Sequence, residues 1–194
     1  FVGIMLLTTM FFFLFATCSK NKTDQLFNPT PYEIEIPYGF PTLLNIPVDN
    51  PMTVEGVELG RYLFYDGRLS GRTHPDSMMS CATCHIQNRA FECGADHHHF
   101  SGGFTFGLTG KYTHHVMLSL INLVWNSNGY LWNGGISKYN PDIHARNLED
   151  IVWMAVIAED EIAGDTTRTK QLISSITGYP DLFFKAFGSK EITM

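Results

Sequence analysis

Five consecutive residues concentrate the chemistry of this chain: Cys81-Ala82-Thr83-Cys84-His85. Two thiols three positions apart share one side of a helical turn, and an imidazole follows directly. C-x-x-C-H is the attachment signature of c-type haem, in which the thiols reach two vinyl groups of one porphyrin and the histidine ligates its iron. Two other chemistries use paired cysteines. A zinc site wants a second ligand pair at comparable spacing, and the remaining Cys93 is alone. A thioredoxin-like dithiol wants strands alternating with helices, and no such alternation persists here. Haem c is therefore the implied cofactor, and Cys93 reads as a small loop or half-buried thiol.

An iron held by one histidine has a sixth position. A second strong ligand makes an electron carrier, whereas an open or displaceable position admits peroxide or another small molecule. The chain has 8 histidines, and His85, His97, His98, His99, His114 and His115 all fall between positions 85 and 115. The candidate distal ligands are His97, His98 and His99, in a Gly-flanked loop, and His114 and His115, just before the apolar run Val116 to Trp125. A solvated or structural role is the alternative for each group, and the residues alone leave it open.

A site of this kind needs a folded frame. The 194 residues carry a formal charge of -6, with 44% apolar and 16% charged residues. That composition excludes a disordered acidic tail, and the lack of a Lys/Arg surplus argues against a nucleic-acid partner. The length suits one domain able to bury its own core, and 4 cysteines are too few for a disulfide scaffold.

The frame is legible in segments. Residues 1–17 are an almost unbroken apolar run with no charge before Lys20, which suits a signal-peptide core. Phe15-Ala16-Thr17-Cys18 resembles the lipobox of bacterial lipoproteins, with Cys18 as the lipidated residue. The expectation is an exported periplasmic protein whose only membrane contact is a lipid anchor. From Ser19 to Pro51 the chain is polar and then proline-punctuated, predicting an extended arm, with Ile34, Ile36 and Phe40 packing it onto the domain. A first helix starts after Thr53 and ends near Asp66-Gly67, with Leu59, Gly60 and Leu63 on its buried arc; Gly60 there predicts a close approach by another backbone or a flat ligand. A long irregular stretch follows to Gly135, for which the haem is the organiser. Further helices are predicted over Leu148–Ala158 behind Asn147, over about Thr167–Thr177 with Gly178 as the stop, and from Pro180 to before Gly188.

Six blocks then carry a resemblance. Asn50-Pro51-Met52-Thr53, the run Val57 to Ser70 (VELGRYLFYDGRLS) and Ser80 to His85 (SCATCH), in this order, are similar to the opening of the bacterial di-haem cytochrome c peroxidases of the MauG type. Leu120 to Trp125 (LINLVW) resembles that family's LLNVA segment, Tyr130 to Gly135 (YLWNGG) its FWDGR, and Tyr179 to Gly188 with Glu191-Ile192-Thr193 its tail. The resemblance implies an all-α, cytochrome c-like haem domain with long irregular loops over residues 51–194. It is preceded by a tether and proline-rich arm over 18–50 and a truncated lipoprotein signal peptide over 1–17. It also implies that Cys81, Cys84 and His85 hold the peroxidatic haem, that Trp132 lies between two haems and relays electrons, and that Glu161 moves protons during O–O cleavage. Read alone, Trp132 is core packing and Glu161, within Glu159-Asp160-Glu161, a solvated face.

The departures matter as well. Residues 137–147 (SKYNPDIHARN) are extra, and Gly135 replaces the arginine of FWDGR. The Arg-Asn pair of the family's calcium site is replaced around His114-His115, so calcium is not carried over. No second C-x-x-C-H occurs. The expectation is a fragment truncated at both ends, with one haem here and a second in a missing C-terminal half. The function implied is reduction of hydrogen peroxide to water with electrons from a small donor protein such as a c-type cytochrome. Alternatives are a MauG-like haem oxidase acting on another substrate and a mono-haem electron-transfer lipoprotein. A homodimer stays open.

Overall fold

The computed structural model describes residues 26–94, 97–136 and 147–193. Cys18, the signal segment and most of the extra stretch after Ile136 lie outside these residues. Among the described residues no helix is long and apolar enough to cross a membrane.

Helix α1 spans Val54–Tyr65. Thr53, in extended conformation, caps it by accepting a hydrogen bond at 3.0 Å from the Gly56 amide. The arm docks on this same end. Glu55 accepts from the Thr30 amide at 2.8 Å and from its hydroxyl at 3.0 Å, and Pro31 bridges Thr53. Farther along, the Trp125 indole donates to the Pro41 carbonyl at 2.8 Å, and Phe40 meets the Trp125 ring edge-on at 4.8 Å. The arm is thus held at Thr30, Pro31, Phe40 and Pro41.

Asp66 ends α1 and caps the following 3-10 turn, Gly67–Ser70, by accepting from the Arg68 amide at 2.9 Å. The one-turn helix α2, Cys81–Cys84, follows. Strands β1 (Phe100–Ser101) and β2 (Phe104–Thr105) form an antiparallel hairpin around Gly102 and Gly103, whose φ values of 61° and 90° suit a two-residue turn. The fold is thus mostly helical with one small sheet, a correction to the strictly all-α expectation. Strands of two residues are too short for an alternating pattern to show in sequence.

Helix α3 is Leu148–Ile157, with Asn147 accepting from the Asp150 amide at 3.1 Å as expected. Helix α4 is Thr166–Ser175, capped by Asp165, and α5 is Tyr179–Phe187. Gly178 differs from its expected role. At φ 102° it is the residue on which the chain turns into α5, while α4 has already ended at Ile176.

Two cores share Leu63. In one, Leu59, Ile173, Tyr179, Ala186 and Ile192 join α1, α4 and α5. In the other, Leu69, Met79, Cys84, Val156 and Ile162 surround the C-x-x-C turn. Leu59 is 2% exposed, and a burial of that kind contributes roughly 1.5–3 kcal/mol. Tyr179 also donates to Asp66, the residue that ends α1, at 2.8 Å. Gly60 corrects a further expectation: it is exposed, and a Cβ there would meet nothing within 4 Å. The buried stripe of α1 centres on Leu59 and passes Gly60 by.

Candidate functional site

Helix α2 is the local frame of the site. The Thr83 hydroxyl accepts from the Ser80 amide at 3.1 Å, and the His85 amide closes the turn on the Cys81 carbonyl at 2.9 Å. One turn sets both thiols against the same cavity. Its volume is about 490 Å3, and apart from a few polar groups its walls are apolar and aromatic, including Phe64, Met79, Phe106, Leu120 and Trp125. Ile34 of the arm closes one side, and Leu148, Ile151 and Ala155 of α3 another.

His85 also lines this cavity, with its ring orientation set by the backbone. The chain from Ile86 to Glu92 folds back beneath it as an isolated bridge. Ala90 and Phe91 both take left-handed backbone angles, φ 54° and 63°, which aims the Phe91 carbonyl at the imidazole. His85 Nδ1 lies 2.7 Å from that oxygen. A carbonyl can only accept, so Nδ1 carries the proton and Nε2 keeps its lone pair. This is the arrangement of a metal-ligating histidine with its outer nitrogen anchored. Burial lowers the His85 pKa, against the pull of the Phe91 carbonyl, which favours the neutral imidazole.

Burial pushes the Cys81 thiol up to about 11 and the Cys84 thiol up to about 12. Redox-active dithiols depend on lowered values and some exposure, so these environments oppose that use. Among the described residues no group of three or more His, Cys, Asp and Glu side chains is placed to hold a metal ion. A largely apolar cavity with two thiols and an imidazole in its wall fits a porphyrin attached through thioethers and ligated by Nε2.

Glu161 faces the same cavity. It is half-buried, and no hydrogen-bond donor meets its carboxyl among the described residues. Burial, with the neighbouring Asp160 adding to it, raises its pKa. The solvated-face alternative for Glu161 therefore fails. The turn is held from the side of the 105–111 loop. Leu108 N–H donates to the Glu161 carbonyl at 2.8 Å, Thr109 donates to the Glu159 carbonyl at 2.6 Å, and Lys111 pairs with the Glu159 carboxylate. Gly107 makes this contact feasible, because a Cβ there would lie 2.2 Å from the Glu161 carbonyl oxygen.

Other expected residues lie elsewhere. Trp132 is 92% exposed at the tip of a turn closed by Tyr130 and Ile136, so it is neither core nor cavity wall. None of His97, His98, His99, His114 and His115 lines the cavity. The first three rings lie against one another, and His99 Nδ1 bonds the Phe106 carbonyl at 2.8 Å; His114 and His115 are exposed. Two methionines, Met79 and Met117, do line the cavity and were not singled out in sequence. Thr105 was also missed: it lines the cavity and is 1% exposed, and among the described residues its hydroxyl meets no partner beyond the neighbouring Cys93 thiol. Cys93 is buried at 2% exposure, and burial raises its pKa.

Comparison with known proteins places these features in context. Residues 54–194 match the family model described as di-haem cytochrome c peroxidase. The methylamine utilization protein MauG of Methylorubrum extorquens is 32% identical over 145 residues, covering 75% of this chain and 35% of MauG. The cytochrome-c peroxidase IdrP1 of Pseudomonas sp. strain SCT is 28% identical over 147 residues, covering 75% of this chain and 33% of that protein. A crystal structure of a MauG-like protein associated with microbial copper homeostasis is similar at a TM-score of 0.53 and 27% identity, over 82% of this chain and 42% of the other. The chain spans about a third of the length of these curated relatives.

Proposed function

We propose a function from one premise: the chain belongs to the di-haem cytochrome c peroxidase family, whose members are haem oxidoreductases. On that premise it forms the peroxidatic centre of an enzyme that reduces hydrogen peroxide to water, with electrons from a small donor protein such as a c-type cytochrome. In balance, one peroxide takes up two electrons and two protons and leaves as two waters. When bound, the haem supplies an iron that activates the O–O bond and receives the electrons.

The chain's own residues do the rest. Cys81 and Cys84 tether the group, and His85 Nε2 ligates its iron. The apolar walls exclude bulk water, which strengthens each electrostatic contact inside. The Glu161 carboxylate accepts a proton from the near oxygen of peroxide and, as the acid, returns it to the leaving oxygen. A carboxyl whose pKa is raised by burial is suited to both halves of that task. Trp132 keeps its relay role in this proposal, from the surface position where a second haem domain would meet it.

The carrying observation is that the Glu161 carboxyl lines the same apolar cavity as Cys81, Cys84 and His85. The test is Glu161→Gln in the full-length protein matured with haem. Turnover is expected to fall roughly 10²–10⁴-fold with little change in the peroxide KM. Equal turnover removes Glu161 from the mechanism.

The similarity to MauG, somewhat higher than that to the peroxidase, favours a second reading in which the same centre oxidises another substrate. Peroxide-dependent oxidation of a reduced cytochrome selects the first reading, and consumption of peroxide without it selects the second. A low-spin protein inert to peroxide selects the mono-haem carrier. Export with a lipid anchor at Cys18 completes the proposal, supported by the attachment of haem c outside the bacterial cytoplasm.

A further inference from the structure

Glu161 has no side-chain hydrogen bond to fix it among the described residues, so its position is inherited from its backbone. That backbone is held on two sides. On one side is the loop bearing Leu108 and Thr109. On the other is Arg72, half-buried between the first 3-10 turn and α2. Arg72 Nη1 donates to the Ile162 carbonyl at 3.3 Å and to the Ser70 carbonyl at 3.2 Å, and Nη2 donates to the Ala163 carbonyl at 3.1 Å.

The partners matter more than the count. Ile162 and Ala163 are the two residues that follow Glu161. Ala163 sits at φ 50°, a left-handed angle that an alanine rarely adopts and that its surroundings must hold. Ser70 belongs to the segment that leads into the C-x-x-C turn. One planar guanidinium therefore joins both segments, a geometry that a lysine ammonium cannot reproduce at three carbonyls.

We propose that Arg72 is a positioning residue for Glu161: it holds the turn after Glu161 against the segment preceding the C-x-x-C-H helix, and so keeps the carboxyl at a set distance from the haem site. This rests on the role given to Glu161 above. Arg72 does not touch the cavity and acts through the backbone alone. The charged and titratable groups around Glu161 are Asp160, the Lys111–Glu159 pair and, across the cavity, Cys81, Cys84 and His85.

The experiment compares Arg72→Met and Arg72→Lys in the full-length haem-loaded protein. Haem content and thermal midpoint are measured first. The carboxyl titration of Glu161 is then followed by isotope-edited infrared difference spectroscopy, with Glu161→Gln as the assignment. Turnover is recorded against pH. Arg72→Met is expected to lower kcat roughly 10- to 100-fold, since misplacement by about 1 Å has effects of that size. It should also move the Glu161 titration down toward the ordinary carboxylate range as water reaches the turn. Arg72→Lys should fall between Met and wild type in both readouts, and it carries the test if the methionine variant fails to fold. Wild-type titration and pH profile in a folded Arg72→Met protein would overturn the proposal. So would Arg72→Met lowering turnover further in a Glu161→Gln background. Full turnover in Glu161→Gln alone would instead sink the catalytic role of Glu161, and the infrared titration would still decide whether Arg72 holds it.

Discussion

Gly107→Ala probes the site through a single methyl group. The added Cβ would lie 2.2 Å from the Glu161 carbonyl oxygen and 2.4 Å from that of Asp160. Ordinary contact begins near 3.4 Å, so loop and turn must part by about 1.2 Å. Both obstacles are backbone, and no rotamer change relieves them. Separation by that amount stretches the 2.8 Å bond from Leu108 to Glu161 beyond hydrogen-bond reach. Its loss costs about 1 kcal/mol, and the overpacking adds roughly 1–3 kcal/mol. The variant should therefore be about 2–4 kcal/mol less stable to denaturant. Displacement of Glu161 by about 1 Å should lower kcat by up to about 100-fold, with haem attachment at Cys81 and Cys84 retained. Denaturant titration, pyridine haemochrome content and steady-state peroxide turnover are the three measurements. Wild-type stability together with wild-type kcat would refute the reasoning, because the loop would then not be pressed against the Glu161 backbone.

Gly60→Ala should be neutral or stabilising by up to about 1 kcal/mol, since the position is an open helix interior; a clear loss in thermal midpoint would mean that a neighbour does pack there. Tyr179→Phe deletes the bond to Asp66 and should cost about 1–2 kcal/mol in denaturant titration without changing turnover. Burial works to raise the Asp66 pKa, but the bonds from Arg68 and Tyr179 outweigh it and leave it lowered. Its stabilisation is therefore present above the unfolded carboxylate value and lost as pH falls through the lower folded value, so Asp66→Asn should be least harmful in acid. Glu161 has the opposite sign. Its folded pKa is raised by burial, so the charged form opposes folding, and stability is lost as pH rises through the folded value. Glu161→Gln should then be more stable than wild type at neutral pH, and the gap should close in acid; a pH-independent difference would contradict the buried placement.

Local chemistry determined much of this protein from its sequence. Thr53 and Asn147 announced two helix starts because a cap needs only a side-chain oxygen within three residues of the amide it serves. The C-x-x-C-H spacing announced that Cys81, Cys84 and His85 share one cavity wall, because one helical turn sets both thiols and the imidazole. Features that depend on distant segments were decided by tertiary structure. The proton on His85 Nδ1 is fixed by a main-chain oxygen, which leaves no side-chain signature. Gly60 and Gly178 changed roles because exposure and chain reversal depend on which helices meet. Trp132 and the histidine groups were placed by turns whose angles no residue type announces. Glu161 faces the cavity from a turn packed against Gly107 and bonded by Arg72 at the next two residues, about 50 and 90 positions away. A sequence displays spacing along the chain, but burial and carbonyl direction are properties of the folded surroundings.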